Sequence, residues 1–112
     1  MRPAAEFSVE VRRDGTTVVV AATGELDVTT QGRLRRALAT CGGCETLVLD
    51  LRGLSFIDSS GIVVLVDERR RSAGEGYALR VVSGPPPIQR VLEISGVADH
   101  LHFVESPTSA AE

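Results

Sequence analysis

Lysine and tryptophan are absent from this sequence of 112 residues. All 12 basic side chains are arginines, and 15 acids outweigh them to leave a net charge of −3. One Tyr and three Phe are the only aromatics. Nucleic-acid binders carry basic stripes and stacking platforms, so this balance predicts no nucleic-acid partner. Long apolar runs are missing too. The longest, Gly61 to Val66, is six residues, whereas a transmembrane helix needs about 20. The opening Met1-Arg2-Pro3-Ala4-Ala5-Glu6 lacks the apolar stretch of a signal peptide. A cytoplasmic protein without membrane insertion is expected.

Cysteine is scarce, occurring only in Cys41-Gly-Gly-Cys44. Zinc would need further ligands, and no second CxxC exists. The two histidines, His100 and His102, alternate as strand neighbours would. The cysteines read either as small residues flanking a Gly-Gly turn or as a redox pair. A thioredoxin-like pair opens a helix right after a strand, whereas this one closes a helical stretch, which favours the turn. Neither GxxxxGK[ST] nor GxGxxG is present, so those phosphate-binding loops are excluded. Nothing implies a cofactor or a metal.

A nucleophile elbow requires G-x-S-x-G. Ser59 has Gly61 two residues on, but Ile57 stands where the first glycine belongs. His100 or His102 as base, with Asp67 or Asp99 as orienter, would complete the chain order of an esterase. No oxyanion-loop motif accompanies them, and the scaffold is very small. The chain is therefore not expected to be an enzyme.

What is present is an ordinary globular composition, 43% hydrophobic and 24% charged, at a length suited to one domain. Phe7 to Arg12 alternates apolar and polar residues, as a half-buried strand does. Asp14-Gly15 signals a turn into a second β-rich run, Thr17 to Ala22. Val28 to Thr40 places Leu34, Ala37 and Leu38 on one side of an amphipathic helix that Gly42-Gly43 ends. Leu47 to Leu51 reads as an inner parallel strand. Ile62, Val63, Leu65 and Val66 begin a second helix with a buried first half. Leu79 to Val82 reads as a strand, Ile88, Val91 and Leu92 as a third helix stopped at Gly96, and Leu101 to Val104 as an edge strand. The order β-β-α-β-α-β-α-β predicts an α/β fold: a mixed, mostly parallel sheet of four to five strands with right-handed helical crossovers. A single domain is expected over residues 1–112, with its core at about 6–105 and flexible ends at 1–5 and 106–112.

In open α/β sheets, ligands meet the loops at the carboxyl ends of strands. Two such loops stand out: Gly24-Glu25-Leu26-Asp27 and Phe56-Ile57-Asp58-Ser59-Ser60-Gly61. Parallel strands would bring Asp27 and Ser59 together. Asp58 and Asp27 also suit helix N-caps, whose oxygens accept from orphan amides of the first turn. On the loops alone, a capped helix and a functional switch are both consistent with the residues.

These two loops, with Leu47-Val48-Leu49-Asp50, Leu54, Leu79, Pro87-x-x-Arg90-Val91-Leu92 and Gly96-Val97, resemble a STAS domain over roughly residues 6 to 105. More narrowly, they resemble the bacterial anti-sigma factor antagonists. The resemblance implies a protein that binds an anti-sigma factor with serine kinase activity and so frees a sigma factor. Phosphorylation of Ser59 would end that binding, and a phosphoserine phosphatase would restore it. Glu25, Asp27, Asp58, Ser59, Ser60 and Gly61 would form the switch loop and partner surface. An alternative is a STAS scaffold or accessory subunit of a larger assembly, such as a stressosome or a lipid ABC transporter. Gly32 sits where the family's first helix often has Ala, and the CGGC pair lies outside the pattern. Arg69-Arg70-Arg71 reads as a solvated helix end rather than a second contact.

Overall fold

The computed structural model describes residues 7–108. The expected flexible start, 1–5, and residues 109–112 of the expected flexible tail lie outside the described residues. The alternating N-terminal segment forms β1 (Ser8–Asp14), which turns through Gly15 and Thr16 onto β2 (Thr17–Leu26) as an antiparallel hairpin. Gly15 takes φ +62, a left-handed conformation that costs glycine little.

β3 (Thr46–Ile57), β4 (Ala78–Val82) and β5 (Phe103–Val104) follow, each parallel to the strand before it. The sheet order is β1-β2-β3-β4-β5. The crossovers carry α1 (Gln31–Ala39), α2 (Ser59–Glu75) and α3 (Pro86–Ile94), the last followed by a 3-10 turn, Val97–His100. Each crossover moves one strand in the same direction, and right-handed crossovers then place all three helices on one face. The core agrees: Leu34, Leu38, Val64, Leu65, Ile88 and Leu92 bury against Val18, Val20, Leu47, Leu49 and Val81. Each fully buried aliphatic side chain contributes about 1.5–3 kcal/mol. Val19, Val48 and Val82 form a smaller cluster of their own, against which Val104 packs. The α/β architecture is the one the residue pattern predicts.

Several boundaries differ from the sequence reading. β1 is mostly exposed rather than half-buried; Val11, opposite Val20 at the sheet edge, is 43% exposed. β2 and β3 extend through Leu26 and Ile57, so Gly24 to Leu26 and Phe56-Ile57 are strand, not loop. α1 begins at Gln31 rather than Val28, because the Asp27 carbonyl accepts from the Thr30 and Gln31 amides and forms a turn first. The first half of α2 is not uniformly buried: Val64 and Leu65 are covered, but Val63 is 50% exposed. His100 closes the 3-10 turn while His102 lies outside any strand, so the two are not strand neighbours.

Cys41 and Cys44 are free. Cys41 is buried and donates its thiol to the Ala37 carbonyl at 3.3 Å. Burial pushes the Cys44 thiol up, opposite to the depressed value of a reactive thiolate. No helix among the described residues is long and apolar enough to cross a membrane.

Candidate functional site at the start of α2

The ends of two parallel strands build the site. Leu26 and Ile57 are register partners, and the Asp58 amide donates to the Leu26 carbonyl at 3.2 Å. The chain leaves β2 and β3 side by side, so the segments after them share one end of the sheet. Asp27 and Asp58 are close enough there for the charge of Asp27 to oppose ionisation of Asp58.

Asp58 is the N-cap of α2, with extended backbone. Its Oδ1 accepts from the Ser60 amide at 3.0 Å, the Gly61 amide at 3.3 Å and the Ser60 hydroxyl at 2.5 Å. The Ser60 hydroxyl foremost, with those amides, holds the carboxyl below its ordinary range. Gly61 lies in the first turn because nothing larger fits. A Cβ there would sit 2.7 Å from Ile57 Cγ1 and 2.9 Å from Leu26 Cγ. The glycine thus lets α2 start directly against the strand ends.

Asp27 organises the facing segment. Its Oδ1 accepts from the Thr29 hydroxyl at 2.7 Å and amide at 2.9 Å, and from the Thr30 amide and hydroxyl at 3.2 Å each. The Thr29 hydroxyl is the main cause of its lowered pKa. Thr30 also donates its hydroxyl to the Glu25 carbonyl at 2.7 Å. Glu25 itself is exposed near the end of β2, opposite Phe56.

Ser59 occupies the first position of α2 and is exposed. Among the described residues its hydroxyl has no hydrogen-bond partner, whereas that of Ser60 is committed to Asp58. Asp67 is ion-paired with Arg35 at 2.8 Å. His100 packs beside Arg69, whose Nε donates to the His100 carbonyl at 2.9 Å, and Arg69 lies about 15 Å along the helix from Ser59. Among the described residues, no group of three or more His, Cys, Asp or Glu could hold a metal.

The STAS domain family model matches residues 8–110. The chain belongs to the STAS domain family. An anti-sigma F factor antagonist from Paenibacillus polymyxa is 30% identical over 107 residues, covering 93% of this chain and 92% of that protein. An anti-sigma factor antagonist from Mycobacterium paratuberculosis has a similar fold, with a TM-score of 0.81 at 22% identity over 90% of this chain and 87% of that one. The Bacillus cell fate determinant SpoIIAA in its phosphorylated form gives a TM-score of 0.66 at 24% identity, covering 88% and 91% of the two chains.

This STAS domain also presents apolar residues whose exposure the sequence did not disclose. Val28, Phe56, Val63 and Ile94 are 71%, 47%, 50% and 74% exposed. Val63 and Ile94, with Ile62, Val91, Asp58 and Ser59, line a groove of about 400 Å³. Val28 follows Asp27, and Phe56 closely precedes Asp58, at the same end of the sheet. Apolar side chains at helical spacing are visible in the sequence; their lack of cover is not.

The arginine run divides among three environments. Arg71 is tied down, donating through Nη1 to the Leu38 carbonyl at 2.8 Å and through Nε to Glu75 at 3.1 Å. Arg69 is anchored on the 3-10 turn. Arg70 is exposed and makes no ion pair among the described residues, but α2 continues to Glu75, so the solvated helix end expected for all three is not where it lies.

Proposed function

We propose that this STAS domain is an anti-sigma factor antagonist controlled at Ser59. In its unphosphorylated form it binds an anti-sigma factor that is also a serine kinase, and a sigma factor is released. The kinase transfers a phosphoryl group from ATP to the Ser59 hydroxyl, the complex separates, and a phosphoserine phosphatase resets the protein. The domain acts in this scheme by binding, not by catalysis.

One observation carries the reading. Of the two adjacent serines, Ser59 is exposed and its hydroxyl is uncommitted, while Ser60 is locked into the cap. A kinase needs an accessible hydroxyl with free rotation. The name of the Paenibacillus relative supports antagonism. The exposed apolar residues beside Ser59 supply binding anchors, since desolvated apolar side chains carry most interface energy while charged rims steer.

Phosphorylation would act through charge. The phosphate adds about −1.5 to −2 charges at pH 7, beside Asp58 and across from Asp27. Burying that unpaired dianion in an interface costs a few kcal/mol, about a 10²–10³-fold loss of affinity.

The test is incubation with ATP and a candidate kinase partner, followed by intact mass, site mapping and binding of each form. A single phosphate on Ser59 and loss of binding are expected. Phosphate on Ser60 alone, or a phosphoform that binds as tightly as the unmodified protein, overturns the reading.

A further inference from the structure

We propose that the cleft between α2 and the 3-10 turn binds a phosphomonoester with a short apolar body. The cleft encloses about 430 Å³, within the usual range for small-molecule sites. Arg69 and Arg70 of α2 and His100 of the 3-10 turn line it together with apolar Ile62, Val66 and Val97. Among the described residues, no carboxylate lines it. In a chain of net charge −3, two guanidiniums and an imidazole thus line one cleft with no acid among its lining residues.

Arg69 and Arg70 are not neutralised by an ion pair among the described residues. Arg35, Arg52 and Arg71 make the ion pairs among the described residues; Arg69 and Arg70 make none. Arg69 donates only Nε, to the His100 carbonyl, which fixes the guanidinium while leaving its terminal nitrogens available. Helix-dipole compensation does not account for the pair, because that effect is confined to the last turn. α2 continues to Glu75, five residues past Arg70.

The chemistry selects the ligand class. Guanidinium forks match the oxygens of phosphate and carboxylate, and two of them balance a phosphate dianion better than a carboxylate's single charge. The apolar part of the lining favours something more than a bare ion. Ile62 also lines the groove beside Ser59, as does Ser95, so an occupant would touch a wall shared with that site. The binding claim itself does not depend on Ser59 being modified.

The test is an amide chemical-shift titration of the full chain with hexyl phosphate, hexanoate, hexan-1-ol and inorganic phosphate. Hexyl phosphate should give saturable shifts centred on Val66, Gly96 and Val97, with a Kd of order 1 mM. Hexanoate should bind about tenfold more weakly, and hexan-1-ol and inorganic phosphate more weakly still. Arg70→Gln should weaken hexyl phosphate about fivefold or more with an unchanged Tm, since Arg70 holds no other element. Any one of four results overturns the proposal: no saturable shifts, hexan-1-ol or inorganic phosphate binding as tightly as hexyl phosphate, shifts centred instead on Val63 and Ile94, or an unaffected Arg70→Gln. Hexanoate binding as tightly as the phosphate ester overturns the assignment of the head group.

Discussion

Ser60 donates its hydroxyl to Asp58 Oδ1 at 2.5 Å, across the intervening Ser59, which takes no part in the cap. The two serines therefore differ in what their removal does. Ser60→Ala deletes a hydrogen bond to a charged acceptor and should cost about 1 kcal/mol, lowering Tm by about 4–8 °C. It should also raise the pKa of Asp58, since the Ser60 hydroxyl is the chief cause of its depression. Ser59→Ala should leave Tm unchanged and remove the proposed phosphate acceptor. Thermal melts and a carboxyl NMR titration check the structural half, and mass mapping after kinase treatment checks the other. Equal Tm losses in both variants would contradict the division.

Gly61→Ala should be far more damaging than an ordinary helix substitution. Alanine has the higher helix propensity, worth about 1 kcal/mol. Here the new methyl would meet Ile57 and Leu26 below 3.0 Å, and both are buried strand-end residues with little room to give. Overpacking of this kind costs about 1–3 kcal/mol, so a net loss is expected in urea denaturation. Gly32→Ala provides the contrast. Its Cβ would meet only Arg36 Nη1, at 3.5 Å, so it should be neutral or stabilising.

The strand and helix order was legible because it rests on local patterns: alternation in β1, a Gly-bearing turn, apolar runs and helical spacing. Strand length was not. β3 outlasts its apolar run because Arg52, Ser55 and Phe56 are exposed while Leu54 and Ile57 stay buried. The register with β2 shifts between Ala21 and Thr23, and no local cue marks that irregularity. Asp27 and Asp58 stood out as cap residues and Gly61 as part of the candidate switch loop, and parallel pairing of β2 with β3 accounts for their convergence. Glu68 was missed for a different reason. Asp67-Glu68-Arg69-Arg70-Arg71 reads as a solvated charge run, yet Glu68 is buried and accepts the hydroxyl of Tyr77. That partner comes from the far side of the helix end, and only the fold brings it there.

Glu68 makes stability depend on pH in an unusual direction. Burial pushes its carboxyl above the ordinary glutamate value of 4.5, against the pull of Tyr77 and of Arg71, 3.5 Å away. A folded value above the unfolded one means that the native state binds the proton more tightly. The stabilising contribution is then complete below about pH 4.5 and is lost as pH rises through the folded value. Comparing urea midpoints of the wild type and Glu68→Gln isolates this group, because the other carboxyls cancel. The difference, wild type minus variant, should fall as pH rises from 4 to 7. A flat or rising difference would refute the assignment.

Asp27 can be divided between structure and charge with one conservative substitution. All four hydrogen bonds that its side chain accepts arrive at Oδ1, and asparagine offers an equivalent oxygen, capping about as well as aspartate. Asp27→Asn should therefore hold Tm nearly constant. If the carboxylate charge helps present Ser59 to the kinase, phosphorylation should slow in the same variant. A parallel fall in Tm and rate would return Asp27 to a purely structural role.

Phosphorylation of Ser59 should abolish partner binding without unfolding the domain, and the local charges explain why the two effects separate. A phosphate at the first position of α2 meets the positive end of the helix dipole, worth about 0.3–1 kcal/mol where exposed. Against it stand Asp58 and Asp27, both with depressed pKa values and hence ionised at pH 7. Ser59 is solvent-exposed, so attraction and repulsion are both screened and largely cancel in the free protein. An interface removes that screening and leaves three negative groups facing one partner surface. Tm of the phosphoform should thus stay within about 2–4 °C of the unmodified protein, a difference below about 1 kcal/mol. Affinity for the kinase partner should drop by about 10²-fold or more. Ser59→Asp, carrying one charge instead of nearly two, should reproduce only part of the affinity loss. Calorimetry and a binding titration on the same three samples check it, and a phosphoform that melts far lower would mean that release occurs through local unfolding rather than charge.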